Sequence, residues 1–222
     1  DTTGEVISQA SEEELNALVE DKVFETIKSF IGDYEQIPPM FSAIKIGGEK
    51  LYNLARRGEV IERPARHCKI IDIVVTNIDL PRVEMHVTCS KGTYIRTLCH
   101  DIGQKLGVGG CMEKLVRSKV DRFDVEDSIT LSQIEEYRDN GTLDEYLIPV
   151  DEMLDKYSKC IVSEDAEKLV YNGNIFTSRN TLLKMTHEDG QKVRVYTHDG
   201  NFIGLYIYNS EKQIYKPLKM FL

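Results

Sequence analysis

Two alternating apolar runs, Lys69 to Leu80 and Val83 to Cys89, meet at Leu80-Pro81 and commit the middle of the chain to two joined strands. A side-chain period of two sends one face of each strand to a core and the other to solvent. Ser90-Lys91-Gly92 breaks that period. Ile95, Leu98, Ile102 and Leu106 then recur at helical spacing until Gly107, Gly109 and Gly110 close the helix. An earlier helix is signalled by the capping-box pair Ser11 and Glu14, with Leu15, Leu18, Val19, Val23, Ile27, Phe30 and Ile31 on its apolar face and Gly32 as its end. Gln36-Ile37-Pro38-Pro39-Met40 cannot continue it, because each proline restricts the residue before it. A loop-rich stretch follows from Phe41 to Gly48, then a short helix through Leu51, Leu54 and Ala55 that stops near Gly58.

Downstream, Cys111 to Phe123 reads as strand-like, Thr130 to Arg138 as a short helix, and Asn140-Gly141 as a turn. Pro149 marks a natural boundary. Beyond it, Ser163 caps a short helix, and Lys192–Tyr196, Phe202–Tyr208 and Gln213–Met220 read as short strands, with Asp199-Gly200 as a hairpin turn. The pattern predicts an α+β fold: a mixed or antiparallel sheet with helices over residues 1–150, then a small β-rich domain over 151–222.

The length suits one large domain or two modest ones. No apolar run approaches the ~20 residues of a membrane span, and the first ten residues have neither the basic nor the apolar part of a signal peptide. Five widely spaced cysteines without a C-x-x-C pair argue against a disulfide framework or a zinc site and for reduced thiols in a cytoplasm. No metal, cofactor or membrane is expected. The net charge of −9 conceals segregation. Asp1 to Glu35 holds ten acidic residues against Lys22 and Lys28, whereas Ala43 to Ile70 holds Lys45, Lys50, Arg56, Arg57, Arg63, Arg66 and Lys69 against Glu49, Glu59 and Glu62. A local basic stripe holds phosphates even on an acidic protein. A solvated surface accounts for the charges equally well.

Two segments carry chemistry. In Pro38-Pro39-Met40-Phe41-Ser42-Ala43-Ile44-Lys45, with Gly48, Lys50, Tyr52, Arg56 and Gly58 behind it, stiff prolines and a glycine bend present cations interleaved with aromatics. Such a set neutralises phosphates and stacks on exposed bases at ~1–3 kcal/mol each. The competing reading is a structural loop over a sheet edge with Tyr52 in the core. In Cys89-Ser90-Lys91-Gly92-Thr93-Tyr94-Ile95-Arg96-Thr97-Leu98, a glycine turn between strand and helix presents Tyr94 and Arg96 from a rigid element. Arg96 opposes the macrodipole at a helix start and calls for an anionic partner, whether a functional carboxylate or phosphate or a structural salt bridge.

Q-I-P-P-M-F-S-A-x-K-x-x-G-x-x-L-Y-x-x-A-R-x-G followed by C-S-K-G-T-Y-I-R-T-L resembles the bacterial tRNA pseudouridine synthases of the TruB type, which isomerise a T-loop uridine of tRNA. The resemblance extends through Gly109-Gly110-Cys111-Met112, Leu115-Val116-Arg117, Asn172-Gly173, Val193-Arg194-Val195 and Phe202-Ile203-Gly204, the last part being similar to the family's RNA-binding PUA domain. It implies an incomplete pseudouridine-synthase sheet with an inserted thumb, about 37–66, that pinches the T-arm of tRNA. Lys45, Lys50, Tyr52, Arg56, Arg57, Lys91 and Arg117 become the RNA-binding candidates. Arg96 matches the arginine that pairs with the catalytic aspartate, Tyr94 the tyrosine beside the target base, and Leu115 an apolar residue of the uracil pocket. A monomer acting on tRNA without cofactor or metal is expected. Phe41 stands where the family has tyrosine, Cys111 where it has histidine, and Val116 interrupts an arginine pair.

The family's nucleophile lies in a G-x-L-D-P-x-A-T-G motif that this sequence does not contain, and Asp1-Thr2-Thr3-Gly4 resembles the stretch that follows it. The resemblance implies more chain ahead of Asp1, so the sequence reads as a fragment. Neither Asp1 nor Asp33 stands in the required context. Arg96 is then expected to be exposed, disordered or bound to a substitute anion. The 222 residues alone are expected to release no tritium from C5-labelled uridine in tRNA, and turnover would refute this. Two other readings stay open: an RNA-binding module without catalysis, and a relative that works with a guide RNA.

Overall fold

In the computed structural model, which describes residues 2, 6–182 and 187–222, the chain forms two compact units, Asp1–Glu126 and Asp127–Leu222. Most of the Asp1 to Gly4 stretch lies outside the described residues. The first unit opens with α1 (Glu12–Asn16) and α2 (Glu20–Lys28) in place of one continuous helix. The Ser11–Glu14 capping box is present in full, its Oγ accepting from the Glu14 N–H at 3.2 Å. At 17–19 the chain leaves the helix: the Leu18 N–H turns back to the Leu15 carbonyl at 3.1 Å, and Val19 is extended. No glycine or proline marks the break, and the apolar spacing stays in phase across it, so periodicity could not register it.

Gly32 does not end a helix. It begins β1 (Gly32–Gln36) at φ +117, a conformation that glycine alone adopts without strain. The segment Gly-Asp-Tyr-Glu-Gln lacks the alternation that identifies a strand. A two-residue hairpin follows, β2 (Lys45–Ile46) and β3 (Glu49–Lys50), then α3 (Leu51–Arg56), which ends before Gly58. β4 (Arg66–Asp79) and β5 (Arg82–Cys89) are the expected joined strands, with a cis Leu80–Pro81 peptide in the turn. The sheet is antiparallel in the order β1-β4-β5.

Ile70 and Ile73 both lie fully buried although residues three apart face opposite sides of a regular strand. A shift in register between Ile70 and Asp72 inserts the extra residue that brings both to one face. There they pack with Val23 and Ile27 of α2 and with Leu98 and Ile102 of α4 (Ile95–Leu106), each contributing ~1.5–3 kcal/mol by burial. α4 ends on Gly107 in the left-handed conformation. The expected strand over Cys111–Phe123 is absent. Only β6 (Lys119–Val120) and β7 (Phe123–Asp124) form, while Leu115, Val116 and Val120 are exposed, so the alternation there serves no buried face.

In the second unit, α5 (Leu131–Asp139) starts from a Thr130–Gln133 capping box. β8 (Ser158–Ile161) then precedes a turn of 3-10 helix, α6 (Glu167–Tyr171) and β9 (Phe176–Thr177). Ser163 does not cap with its side chain; its hydroxyl donates to the Asn180 carbonyl at 3.2 Å. β10 (Lys192–Tyr196), β11 (Phe202–Asn209) and β12 (Ile214–Met220) match the expected strands. The five-stranded order is β8-β10-β11-β12-β9, with only β8 and β10 parallel. Its core includes Cys160, Val170, Phe176, Val193, Val195, Ile203, Tyr206 and Tyr215, with Phe176 stacked on Tyr215 at 4.7 Å.

Candidate functional site

The proline-rich segment is a built structure. Its main chain is folded on itself: the Ser42 N–H donates to Met40 at 2.9 Å, Leu51 to Ile44 at 2.8 Å and Tyr52 to Ser42 at 3.1 Å. Leu51 and Leu54 are buried beneath α3 and anchor the segment. Gly47 and Gly48, both at positive φ, let β2 turn directly into β3. Lys45 and Lys50 are thereby set directly opposite each other, and facing like charges destabilise a strand pair unless an anion neutralises them.

Tyr52 is half-buried, with two cations close to its ring, rather than fully in the core. The Lys50 ammonium donates to its hydroxyl at 3.2 Å and lies 5.3 Å from its ring centroid, and the Arg56 guanidinium lies 5.3 Å from the same ring. Arg57 is placed differently. It forms a two-pronged pair with Glu49 at 2.5 and 3.0 Å and a second pair with Glu59 at 2.7 Å. The bond to Arg57 lowers the Glu49 pKa, and the bonds to Glu49 and then Glu59 raise that of Arg57. The charge of Arg57 is therefore met within the segment, whereas Lys45, Lys50 and Arg56 gather around the hairpin and Tyr52.

The second motif meets the first at the start of α4. Gly92, at positive φ, turns the chain out of β5, and the Thr93 hydroxyl ties the turn to the Ser90 carbonyl at 2.9 Å. Tyr94 is the N-terminal cap residue of α4 and makes no side-chain cap. Its main chain is held instead by Gln36, only 2% exposed at the end of β1. Arg96, expected exposed, disordered or on a substitute anion, is partly buried and donates to the Phe41 carbonyl at 2.9 Å. This bond ties the first turn of α4 to the base of the proline-rich segment. Lys91 is exposed in the turn before the helix.

Leu115 and Arg117 stand exposed on the irregular chain beyond α4. That chain is fixed at its root by the close passage of Gly109 and Gly110 over Gly103, and further on by an ion pair between Glu113 and Arg82 at 3.0 Å. The structure thus joins Tyr94 and Arg96 to the 36–41 segment and gathers Lys45, Lys50, Tyr52 and Arg56. The residue missed from sequence is Gln36. Its signal is a glutamine one residue ahead of two prolines, where a strand must stop.

In the second unit Glu167, His198 and Asp199 converge closely enough to resemble metal ligands. His198 is, however, hydrogen-bonded to Glu167, and Asp199 accepts from Thr197 and Asn201. No helix among the described residues is long and apolar enough to cross a membrane.

Comparison with known proteins gives a consistent set of likenesses. Residues 1–95 match the model of the TruB family pseudouridylate synthase N-terminal domain, 96–155 that of the tRNA pseudouridylate synthase B C-terminal domain, and 161–215 a PUA-like domain. The tRNA pseudouridine synthase B of Lachnoclostridium phytofermentans is 45% identical over 206 residues, covering 88% of this chain and 67% of that relative. The protein of the same name from Clostridium tetani is 44% identical over 205 residues, covering 92% and 68%. The chain thus spans about two thirds of the length of these relatives. Among solved structures, a Cbf5-Nop10-Gar1 complex matches with a TM-score of 0.65 and 25% identity, over 92% of this chain and 63% of that one.

Proposed function

This chain belongs to the TruB family of pseudouridylate synthases, and from that premise we propose that it serves tRNA modification, the isomerisation of a T-loop uridine to pseudouridine. Residues 37–66 act as the clamp on the T-arm, the start of α4 as one wall of the uridine pocket, and residues 151–222 as a PUA-like RNA-binding domain. The observation that carries this reading is the Lys50–Tyr52–Arg56 stack beside Lys45, rooted on the first turn of α4 through Gln36 and Arg96. A base pulled from its stack costs a few kcal/mol, and contacts to the flanking loop offset that cost. Tyr94 then packs on the displaced base, with Leu115 as an apolar wall. Arg96 keeps the reacting carboxylate ionised, since a neighbouring cation lowers a carboxylate pKa by ~1–3 units. The family's aspartate motif is not in this sequence, and the 222 residues alone are proposed to bind RNA without turnover. The protein is proposed to act in the cytoplasm, as a monomer, without metal or cofactor.

Relatives named for tRNA are 35–45% identical to this chain, whereas the matched Cbf5-type complexes are 22–25% identical, which favours the tRNA reading over a guide-RNA-dependent one. Titration of a T-arm stem-loop RNA across a salt series tests the clamp. Changing Lys45, Lys50 and Arg56 together to alanine is expected to flatten the slope of log K against log salt by about 2–3, at ~0.7–0.9 per lost phosphate contact. Arg57→Ala is expected to change it far less, because Glu49 and Glu59 already occupy that guanidinium. An unchanged slope in the triple variant refutes the clamp.

A further inference from the structure

β1 ends at Gln36 because the next residues, Ile37-Pro38-Pro39, include two without an N–H. The last ladder pair is Gln36 with Arg66. At that point the side chain continues what the main chain cannot. The Gln36 Nε2 donates to the Tyr94 carbonyl at 3.0 Å, and its Oε1 accepts from the Tyr94 N–H at 2.7 Å. One amide thus occupies both main-chain groups of a single residue 58 positions away, much as a neighbouring strand would. The same carbonyl receives the first bond of α4, from the Leu98 N–H at 3.1 Å.

The grip is reinforced on both sides. The Tyr34 hydroxyl, two residues before Gln36 on β1, donates to Asp101 two turns along α4. Arg96, two residues beyond Tyr94, holds the Phe41 carbonyl five residues beyond Gln36. The root of the proline-rich segment and the first turn of α4 are therefore bound at two neighbouring points. A side-chain amide buried to this degree is strongly committed, since losing either partner strands a buried main-chain group.

We infer that Gln36 is a positioning residue for the pocket, fixing the main chain of Tyr94 and thereby the direction of its ring relative to the root of the clamp. This rests on the assignment of Tyr94 to the uridine pocket. Gln36 itself touches no substrate. Methionine at this position fills the space but satisfies neither main-chain group. Glutamate satisfies both only when protonated: its O–H donates to the carbonyl while its C=O accepts from the N–H. Burial raises a carboxyl pKa, so that switch falls between about pH 5.5 and 8. The charged and titratable groups on the neighbouring elements are Tyr34 and Glu35 on β1, Arg66, His67 and Cys68 on β4, and Arg96 and Asp101 on α4. Burial pushes both Tyr34 and Cys68 upward, away from that interval.

The test is fluorine NMR of the chain labelled with 3-fluorotyrosine, the Tyr94 line being assigned by its loss in Tyr94→Phe. In Gln36→Met the Tyr94 line is expected to broaden or split, with any smaller change confined to Tyr34, while the other tyrosine lines stay in place. Affinity for a T-arm RNA with its target uridine is expected to fall about tenfold, the size of one lost hydrogen bond, with no change for the same RNA abasic at that position. Gln36→Glu is expected to show the native Tyr94 line at about pH 5.5 and the perturbed one at about pH 8. The proposal is overturned if the Tyr94 line is unmoved in Gln36→Met, or if all tyrosine lines and both RNA affinities shift together. If Gln36→Met does not fold, the pH series on Gln36→Glu decides. If the wild-type chain binds no T-arm RNA, the functional assignment fails, and the Tyr94 line still decides the role of Gln36.

Discussion

Gly103→Ala is expected to destabilise the first unit by about 3 kcal/mol, near the upper end of overpacking costs, lowering its melting temperature by about 10 °C. Helix propensity alone predicts the opposite, because alanine gains ~1 kcal/mol over glycine inside a helix. Packing reverses the sign. A Cβ on Gly103 would sit 2.1 Å from the Gly109 carbonyl carbon and 2.2 Å from the Gly110 nitrogen, both main-chain atoms that cannot rotate aside. Either α4 moves off the sheet or the 109–117 chain moves off α4, and the second displaces Leu115 and Arg117. Gly107→Ala serves as the control. Its Cβ meets nothing within 4 Å, so it carries only the ~1–2 kcal/mol cost of a left-handed conformation. Thermal unfolding followed by circular dichroism reads both, and a Gly103→Ala protein as stable as wild type would falsify the packing argument.

Arg194→Met is the second large effect, expected to cost the second unit about 3 kcal/mol. Arg194 is only 8% exposed on β10, and its guanidinium donates to the carbonyls of Tyr157 at 2.8 Å, Asp151 at 2.9 Å and Asp155 at 3.5 Å. A planar fork of donors reaches three acceptors at once, and an ammonium does not. Methionine preserves the packing volume and abandons all three, so 151–157 keeps the Tyr196 hydroxyl's bond to the Asp151 carboxylate at 2.8 Å but loses its three main-chain bonds to β10. Arg194→Lys is expected to recover only part of the loss. Chemical denaturation measures the stability, and limited proteolysis locates the release. Cleavage should appear within 151–157 in the methionine variant. Protection there equal to wild type would show that the guanidinium is not what holds the segment.

Much of the architecture was legible in the sequence because it is locally encoded. The Ser11–Glu14 and Thr130–Gln133 boxes, the strands on either side of Leu80-Pro81, the helix from Ile95 to Leu106 with its glycine stop, and the three strands after Lys192 all follow from period, caps and turn residues. The ordered Q-I-P-P-M-F-S-A and K-G-T-Y-I-R motifs were enough to point to the family. Periodicity failed where it described a surface. Residues 111–123 alternate without burying a face, and the break at 17–19 keeps its apolar residues in phase.

What only the tertiary structure decided is which partner each polar group meets. Composition counted Arg56 and Arg57 alike, yet one flanks Tyr52 and the other is held between Glu49 and Glu59. Arg96 stood at a helix start in the sequence, and folding brought its guanidinium to the Phe41 carbonyl 55 residues away. Gln36 was one more polar residue before two prolines until folding brought it to the main chain of Tyr94. The physical reason is one of range. Caps, turns and apolar period act over a few residues and are written along the chain. The partner of a buried amide or guanidinium lies tens of residues away, and only the closed fold selects it.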